Sequence, residues 1–269
     1  MRTVVATALL LACAQEPPVS PRDPIPLTEV VKLPAPGTVA PTHVAFSPDD
    51  AMVTWLHAEE GSLTRELWGV PVQGGAPRRI LSAPGGGEQE GELSLEEQLR
   101  RERLRERATG VTRYKWVKRG PRLVVPIGGD VYTQDGVDGT LVPLVEGRGV
   151  QSPTPSPDGR WLAFVEDDEL AVVPLDGGEV TPLTAGARGT GRTHGLAEYI
   201  AQEEMGRMRG YWWSRDSERL AYTAVDETHI PVWRIPHMGA DTPTWEDHRY
   251  LFAGQDNAVV GLHVVGREG

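Results

Sequence analysis

Ser156-Pro157-Asp158-Gly159-Arg160-Trp161-Leu162-Ala163-Phe164-Val165 reads as a tight reversal that leads straight into a short apolar strand. Proline fixes φ and Asp-Gly supports a reversal, so the turn has a mechanism as well as a composition. The same chemistry recurs along the chain. Phe46-Ser47-Pro48-Asp49-Asp50 leads into Ala51-Met52-Val53-Thr54-Trp55, and Ser214-Arg215-Asp216-Ser217-Glu218-Arg219 leads into Leu220-Ala221-Tyr222-Thr223. Trp116-Val117-Lys118-Arg119-Gly120 before Leu123-Val124-Val125 is a degenerate copy. Units carry a second strand and turn: Leu67 to Val72 runs into Gln73-Gly74-Gly75, and Leu170 to Leu175 runs into Asp176-Gly177-Gly178. The signals start at Ser47, Val117, Ser156 and Ser214, so 117−47, 156−117 and 214−156 give spacings of 70, 39 and 58. A base period near ~40 residues with insertions is the mark of propeller blades. A β-sandwich also has short strands and turns, but it does not call for one turn chemistry to recur. The expected fold is all-β, a partial β-propeller of about four or five blades. A charged helical arm and a short helical Glu-Glu segment are inserted in it.

The composition agrees with strands. Gly 31 and Pro 23 are high for a helical chain, because both residues break helices. A net charge of −11, from 38 Asp+Glu against 27 Lys+Arg, argues against nonspecific nucleic-acid binding, which needs a basic face. At the start, Met1 to Cys13 (MRTVVATALLLAC) places one basic residue before an apolar run from Thr3 to Ala12. Such a run is too short to span a bilayer, at ~20 residues, but fits a secretory signal. Leu10-Leu11-Ala12-Cys13 resembles a bacterial lipoprotein signal with Cys13 as the lipidated residue, although Leu11 departs from the small residue usual there. The competing reading is an ordinary signal peptide with a chance cysteine. Cys13 is the single cysteine, so no intramolecular disulfide forms. The expected order is a signal over 1–13, a Pro-rich tether over 14–29 and the propeller over 30–269. The protein is expected to be exported to the periplasm or cell envelope, with membrane attachment through Cys13.

Two insertions stretch the repeat. The first, Pro84 to Ala108, holds Ser94-Leu95-Glu96-Glu97, a capping box that predicts a helix start. Glu96 with Arg100 and Glu97 with Arg101 are favourable i,i+4 pairs. Leu95, Leu99 and Leu104 make only a thin apolar stripe, so deep burial is not expected. Five arginines fall between Arg100 and Arg107. They read either as a solvated helix or as an arm that carries an arginine over the propeller's opening. The second insertion is Gly195 to Trp213, GLAEYIAQEEMGRMRGYWW. Its adjacent Glu203 and Glu204 suit a cation such as a primary amine, against the plainer reading of a solvated acidic turn. On a regular helix neighbours point about 100° apart, so the pair converges only at a helix end or a distorted turn. Gly206 and Gly210 favour such a distortion.

AEYIAQEEM followed by RGYWWS and LAYTAVDET resembles the N-terminal propeller of bacterial dipeptidyl peptidase IV enzymes, in the prolyl oligopeptidase family. RRERLR with GVTRYKW, then PIGGDVY, the SPDG blade from Ser156 to Thr184, and AGQDNAVVGLHVV are similar in the same order. The resemblance covers about Phe46 to Val265. It implies that Glu203 and Glu204 grip the free α-amine of a peptide. It also implies that an arm arginine, from Arg101, Arg103 and Arg105 with the weight on Arg103 and Arg105, holds a substrate carbonyl. Arg215 and Ser217 depart from the usual proline and glycine of the turn, and Gly206 stands where a polar residue is common. The carry-over is chemically sound, because an α-amine with pKa ~7.7–8.0 is largely a cation at neutral pH. At ~4 Å from a carboxylate it gains about 4 kcal/mol at an effective dielectric near 20, before desolvation.

None of the nine serines (Ser20, Ser47, Ser62, Ser82, Ser94, Ser152, Ser156, Ser214 and Ser217) lies in G-x-S-x-G, so this stretch carries no nucleophile elbow. There is no HExxH and no Cys/His cluster, and His43, His57, His194, His229, His237, His248 and His263 are scattered. No catalytic residue, metal or other cofactor is expected here. The expected partners are a peptide with a free N-terminus and an α/β-hydrolase domain that the family carries after the propeller. A homodimer is left open. Three readings compete: the N-terminal part of a secreted dipeptidyl peptidase, a propeller lipoprotein that binds peptides without cleaving them, and a propeller scaffold whose glutamates are idle.

Overall fold

The computed structural model describes residues 25–32, 40–59, 61–87, 93, 95–238 and 242–269. Cys13, the signal segment, most of the tether and Ser94 lie outside the described residues. The chain divides into two compact units, Met1–Pro36 and Gly37–Gly269. The first holds, among its described residues, one helical turn, α1 (Leu27–Val30). All that follows concerns the second.

Four mainly antiparallel sheets follow one another along the chain, and in most of each the neighbouring strands are consecutive in sequence. The first has β1 (Thr42–Phe46), β2 (Met52–Ala58), β3 (Thr64–Pro71) and β4 (Arg78–Leu81) in order. After the arm helix α2 (Leu95–Arg103), β5 (Thr109–Gly110) adds parallel to β3. The second sheet runs β6 (Lys115–Trp116), β7 (Arg122–Ile127), β8 (Asp130–Asp135), β9 (Val142–Val145). The third runs β10 (Gln151–Pro155), β11 (Trp161–Glu166), β12 (Glu169–Pro174), β13 (Thr181–Pro182). The fourth opens with β14 (Arg192–His194), breaks for α2's counterpart α3 (Tyr199–Met205), and resumes as β15 (Tyr211–Trp213) and β16 (Arg219–Asp226). A solvent-exposed hairpin, β17 (Val232–His237) with β18 (Thr244–Arg249), intervenes before β19 (Val259–Gly266). The fold is an all-β partial propeller with four blades and both expected helical insertions among the described residues.

The continuous apolar runs exist because a middle blade is buried on both faces. Side chains alternate across a strand. Leu162 and Phe164 of β11 therefore pack with Val117, Val124 and Val131 of blade two. Ala163 and Val165 of the same strand pack with Leu196, Tyr211 and Leu220 of blade four. In the same way β7 sends Leu123 and Val125 toward blade one and Val124 toward blade three. Each fully buried Leu or Phe is worth roughly 1.5–3 kcal/mol. Blade four is covered on one face only: Val260, Leu262 and Val264 of β19 are exposed.

The recurring turn joins the first strand of a blade to its second. In three copies the serine hydroxyl donates to the aspartate two residues on and accepts a backbone N–H five residues on. These are Ser47 with Asp49 and Met52, Ser156 with Asp158 and Trp161, and Ser214 with Asp216 and Arg219. The fourth turn position is left-handed every time: Asp50 φ 57°, Gly120 φ 90°, Gly159 φ 75°, Ser217 φ 65°. Ser217 thus occupies a glycine's conformation, and its fully buried hydroxyl accepts the Asp158 N–H at 3.1 Å from the neighbouring turn.

Candidate functional site

The first strands of blades one and three carry a bulge at the same place. Register slips between Thr42 and Ala45, and again between Gln151 and Thr154, with left-handed His43 (φ 53°) and Ser152 (φ 52°) inside the slip. In blade four, β14 and β15 pair along one edge of β16, with His194 opposite Ala224 and Tyr211 opposite Tyr222. The slip between them holds Gly195 (φ 89°) and Gly210, and the chain leaves and returns through these two glycines. Thr223 closes the base: Gly195 N donates to its carbonyl at 2.9 Å, and its own N–H donates to Gly210 O at 2.7 Å. A Cβ on Gly210 would sit 2.1 Å from the Thr223 hydroxyl and 2.4 Å from Leu196 O, so no larger residue fits.

From this base the excursion forms α3. Glu198 caps its start, accepting the N–H groups of Ile200 (2.6 Å) and Ala201 (2.8 Å), as an acidic side chain does favourably at a helix N-terminus. Its end is the opposite case. Glu203 and Glu204 occupy the last turn before the left-handed cap Gly206 (φ 61°). Carboxylates there face the negative end of the helix dipole and cost ~0.3–1 kcal/mol each without a cation.

The cation comes from the arm. Arg103, at the last position of α2, places Nε 3.0 Å from Glu203 Oε1, donates from Nη1 to Gln202 Oε1, and lies 5.4 Å over the Tyr199 ring. Arg103, Arg105, Glu203, Tyr199 and Tyr250 line one cavity of about 540 Å³. Of the paired glutamates only Glu203 lines it. Glu204 is exposed beside it, as the angular offset of helix neighbours requires. Arg105 lines the cavity from a left-handed position (φ 52°). Arg101 turns the other way, to Glu97 at 3.1 Å.

The arm itself is anchored by charge. Glu97 is buried and gripped by Arg100 (2.6 Å), Arg101 (3.1 Å) and Arg113 (3.5 Å). Burial raises its pKa, and the hydrogen bonds from Arg100 and the charge of Arg113 more than offset that, leaving it below the usual carboxylate value. Of the two readings of the arginine run, a plain solvated helix does not describe this part of it: three guanidiniums satisfy one buried carboxylate in an internal ion cluster.

The profile of the dipeptidyl peptidase IV (DPP IV) N-terminal region matches residues 118–269. The chain belongs to this family. The probable dipeptidyl peptidase 4 of Aspergillus flavus is 32% identical over 145 residues, covering 51% of this chain and 18% of the relative. Inactive dipeptidyl peptidase 10 of Rattus norvegicus is 29% identical over 129 residues, covering 47% of this chain and 16% of the relative. The crystal structure of Porphyromonas gingivalis dipeptidyl peptidase 4 superposes with a TM-score of 0.60 at 23% identity, over 90% of this chain and 33% of that one. The chain thus spans about a fifth of the length of these curated relatives.

Within this dipeptidyl peptidase IV N-terminal region, several residues around the site had no signal in the turn repeat or the glutamate doublet. Glu227, just after β16, lines the neighbouring cavity of about 310 Å³ with Gln202 and Arg249 and accepts the Tyr199 backbone N–H. Burial pushes its carboxyl pKa up. Tyr114 and Tyr211 head a repeated Tyr-x-Trp: Tyr114 Oη lies 2.8 Å from both His43 O and Thr54 Oγ1, and Tyr211 Oη lies 2.6 Å from Ser152 O and 2.7 Å from Ala163 O. Each tyrosine thereby locks its blade to the bulge of the blade before. The aligned fragments RYKW and GYWW carry that repeat in plain sight.

Proposed function

We propose that this chain is the substrate-gating propeller of a secreted serine dipeptidyl peptidase that removes N-terminal dipeptides of the Xaa-Pro or Xaa-Ala type. Glu203 and Glu204 bind the peptide's α-ammonium, and Arg103, with Arg105 behind it, holds a carbonyl of the dipeptide. The nucleophile, acid and base belong to a hydrolase domain outside these 269 residues. The observation that carries this reading is the Arg103–Glu203 pair at 3.0 Å, set where a second carboxylate follows and the helix end disfavours both. Family membership is not enough, since one relative bears the name of an inactive dipeptidyl peptidase. The site must therefore carry the argument. Arg103 is paired with Glu203. An arriving ammonium takes over that carboxylate and leaves the guanidinium free to donate to a carbonyl. An ammonium held here fixes the distance to a nucleophile at two residues, ~7 Å of extended chain.

In the protein carrying the hydrolase domain, Glu203→Ala or Glu204→Ala should lower kcat/KM for free-amine dipeptidyl substrates about thirtyfold or more, since both carboxylates are exposed here but a bound peptide would cover them, and losing one partner of a charge pair desolvated in that way costs ~2–5 kcal/mol. N-acetylated substrates should be poor for the parent and indifferent to either change. Alanine variants that cleave free-amine substrates as well as the parent does would reduce the glutamates to a solvated turn. Export and lipidation at Cys13 belong to the same proposal, as does a homodimer in solution. Fatty-acid label should be incorporated by the parent and lost in Cys13→Ser. Equal label in both would leave a plain signal peptide.

A further inference from the structure

The excursion that carries Glu203 and Glu204 continues through Arg207 and Arg209, and these two arginines turn to a different cavity. A recess of about 500 Å³ lies where the first strands of blades two, three and four meet. Arg113, Lys115, Arg207 and Arg209 line it, with Tyr114 and Trp212 among its walls. Lys115 Nζ donates to Pro153 O (3.2 Å) and Thr154 Oγ1 (3.0 Å), and Arg209 Nη1 donates to the same Thr154 hydroxyl (2.9 Å). Arg207 Nη1 reaches only the Arg209 carbonyl, at 3.4 Å. Every one of these acceptors is neutral. Among the described residues, Lys115, Arg207 and Arg209 form no ion pair, and Arg113 shares Glu97 at 3.5 Å with two other arginines while its Nε is shielded from water without a partner.

What sets the recess apart is the gathering of such cations in one place. With 38 acidic residues and a net charge of −11, the chain pairs many of its other arginines: Arg65 with Glu106, Arg122 with Asp135 and Asp176, Arg148 with Glu166, Arg234 with Asp247. Four cations around one recess repel one another, and among the described residues no carboxylate lines the recess to offset that repulsion; besides neutral acceptors, Arg209 has only the Tyr211 ring, 5.6 Å away, and Arg113 only its share of Glu97. Lys115 is open to solvent yet ringed by protein, as a group at the back of a recess is. Burial, then Arg209, then Arg113 bring its pKa down to about 8. The groups facing it are Arg113 and Tyr114 from the segment just before its own strand, Thr154 from β10, and Arg207 and Arg209 from the segment before β15.

We infer that this recess is an anion site that takes the carboxylate of a peptide, with the ammonium of Lys115 and the guanidinium of Arg209 on its oxygens and Trp212 against the adjoining side chain. The volume suits a group larger than a simple inorganic ion. The aromatic and proline walls suit a carboxylate attached to an apolar body. The inference stands apart from the amine clamp, because a peptide without a free amine still presents its carboxylate.

The test therefore uses N-acetyl-alanyl-proline as the free acid, its C-terminal amide, and acetate, each titrated by calorimetry into the full chain. The acid should bind at least about tenfold more tightly than either the amide or acetate, as a charge-assisted pair with an apolar anchor predicts. Lys115→Met and Arg209→Met should each weaken the acid about tenfold or more. Lys115→Arg, which keeps the charge, should retain most of the binding and shows that substitution at this position leaves the fold intact. A second readout needs no variant. The chain has only three lysines, Lys32, Lys115 and Lys118, so ¹³C-dimethylation gives three resolvable probes. Saturation with the acid should move the Lys115 titration midpoint upward by ~1 unit or more, since an anion favours the charged amine. The other two should stay put. Equal binding of acid and amide, acetate as good as the acid, or an unmoved Lys115 midpoint would each overturn the inference. Loss of acid binding with an intact amine clamp, or the reverse, separates the two sites.

Discussion

Blades three and four begin alike and part at a single point. In blade three, Ser152 and Pro153 fill the bulge between Gln151 and Thr154. In blade four the same slip holds Gly195 and Gly210, and residues 196–209 are threaded between them. Both bulges start left-handed, and both lie beside Tyr211, which bonds to the first and heads the strand after the second. A bulge residue is already unpaired in the ladder, so opening it into a loop gives up no strand hydrogen bond. Closing a longer loop then adds little entropy cost, because that cost grows only logarithmically. The blade is the rigid part and the bulge is where chemistry was added.

The largest effect should come from breaking the lock between the two blades. Tyr211 is fully buried, so Tyr211→Ala should cost ~3–5 kcal/mol and Tyr211→Phe ~1–3, the latter for two carbonyls left short of a donor. Guanidinium unfolding of the chain reads both. A loss under about 1 kcal/mol for the alanine variant would mean that the blades do not depend on each other there.

A sharper test removes the difference. Deleting residues 196–209 joins Gly195 to Gly210 and recreates the two-residue bulge of blade three. The deletion should unfold cooperatively with a cost below that of Tyr211→Ala, about 2 kcal/mol, mainly for the buried Leu196 and Ala201. Binding of free-amine dipeptides should disappear. A chain that fails to fold without the excursion would make that segment part of the scaffold.

The smallest effect contrasts the two turns. A Cβ on Gly159 would meet Val117 Cγ1 at 2.7 Å and Arg119 O at 2.9 Å, at a left-handed φ. Gly159→Ala should therefore cost ~1–3 kcal/mol. At the matching position Ser217→Gly trades relief of the same backbone strain against the hydrogen bond to Asp158 N, and thermal unfolding should move by less than about 1 kcal/mol. Similar losses at both positions would show that Ser217 earns its place by something other than that bond.

Local chemistry set much of this molecule. In three of the four turns the serine, aspartate and left-handed residue satisfy one another within five residues, so those blade starts were legible without any tertiary knowledge. The apolar runs likewise announced strands, though not that they are buried on both faces, and Ala197 to Met205, compatible in sequence with about two helical turns, holds the helix Tyr199–Met205. The helix that Ser94-Leu95-Glu96-Glu97 predicts does start at Leu95, though Ser94 itself lies outside the described residues, and local reading did not show that Glu97 would also gather Arg100, Arg101 and Arg113. Distance in sequence decided the rest. Arg103 and Glu203 stand 100 residues apart, and only the packing of blade one's arm against blade four's excursion selects Arg103 over Arg101, which faces Glu97 instead. The recess around Lys115 gathers side chains from three blades, and nothing in the sequence shows that they meet, because mutual repulsion among cations exists only once the strands that bear them are brought side by side.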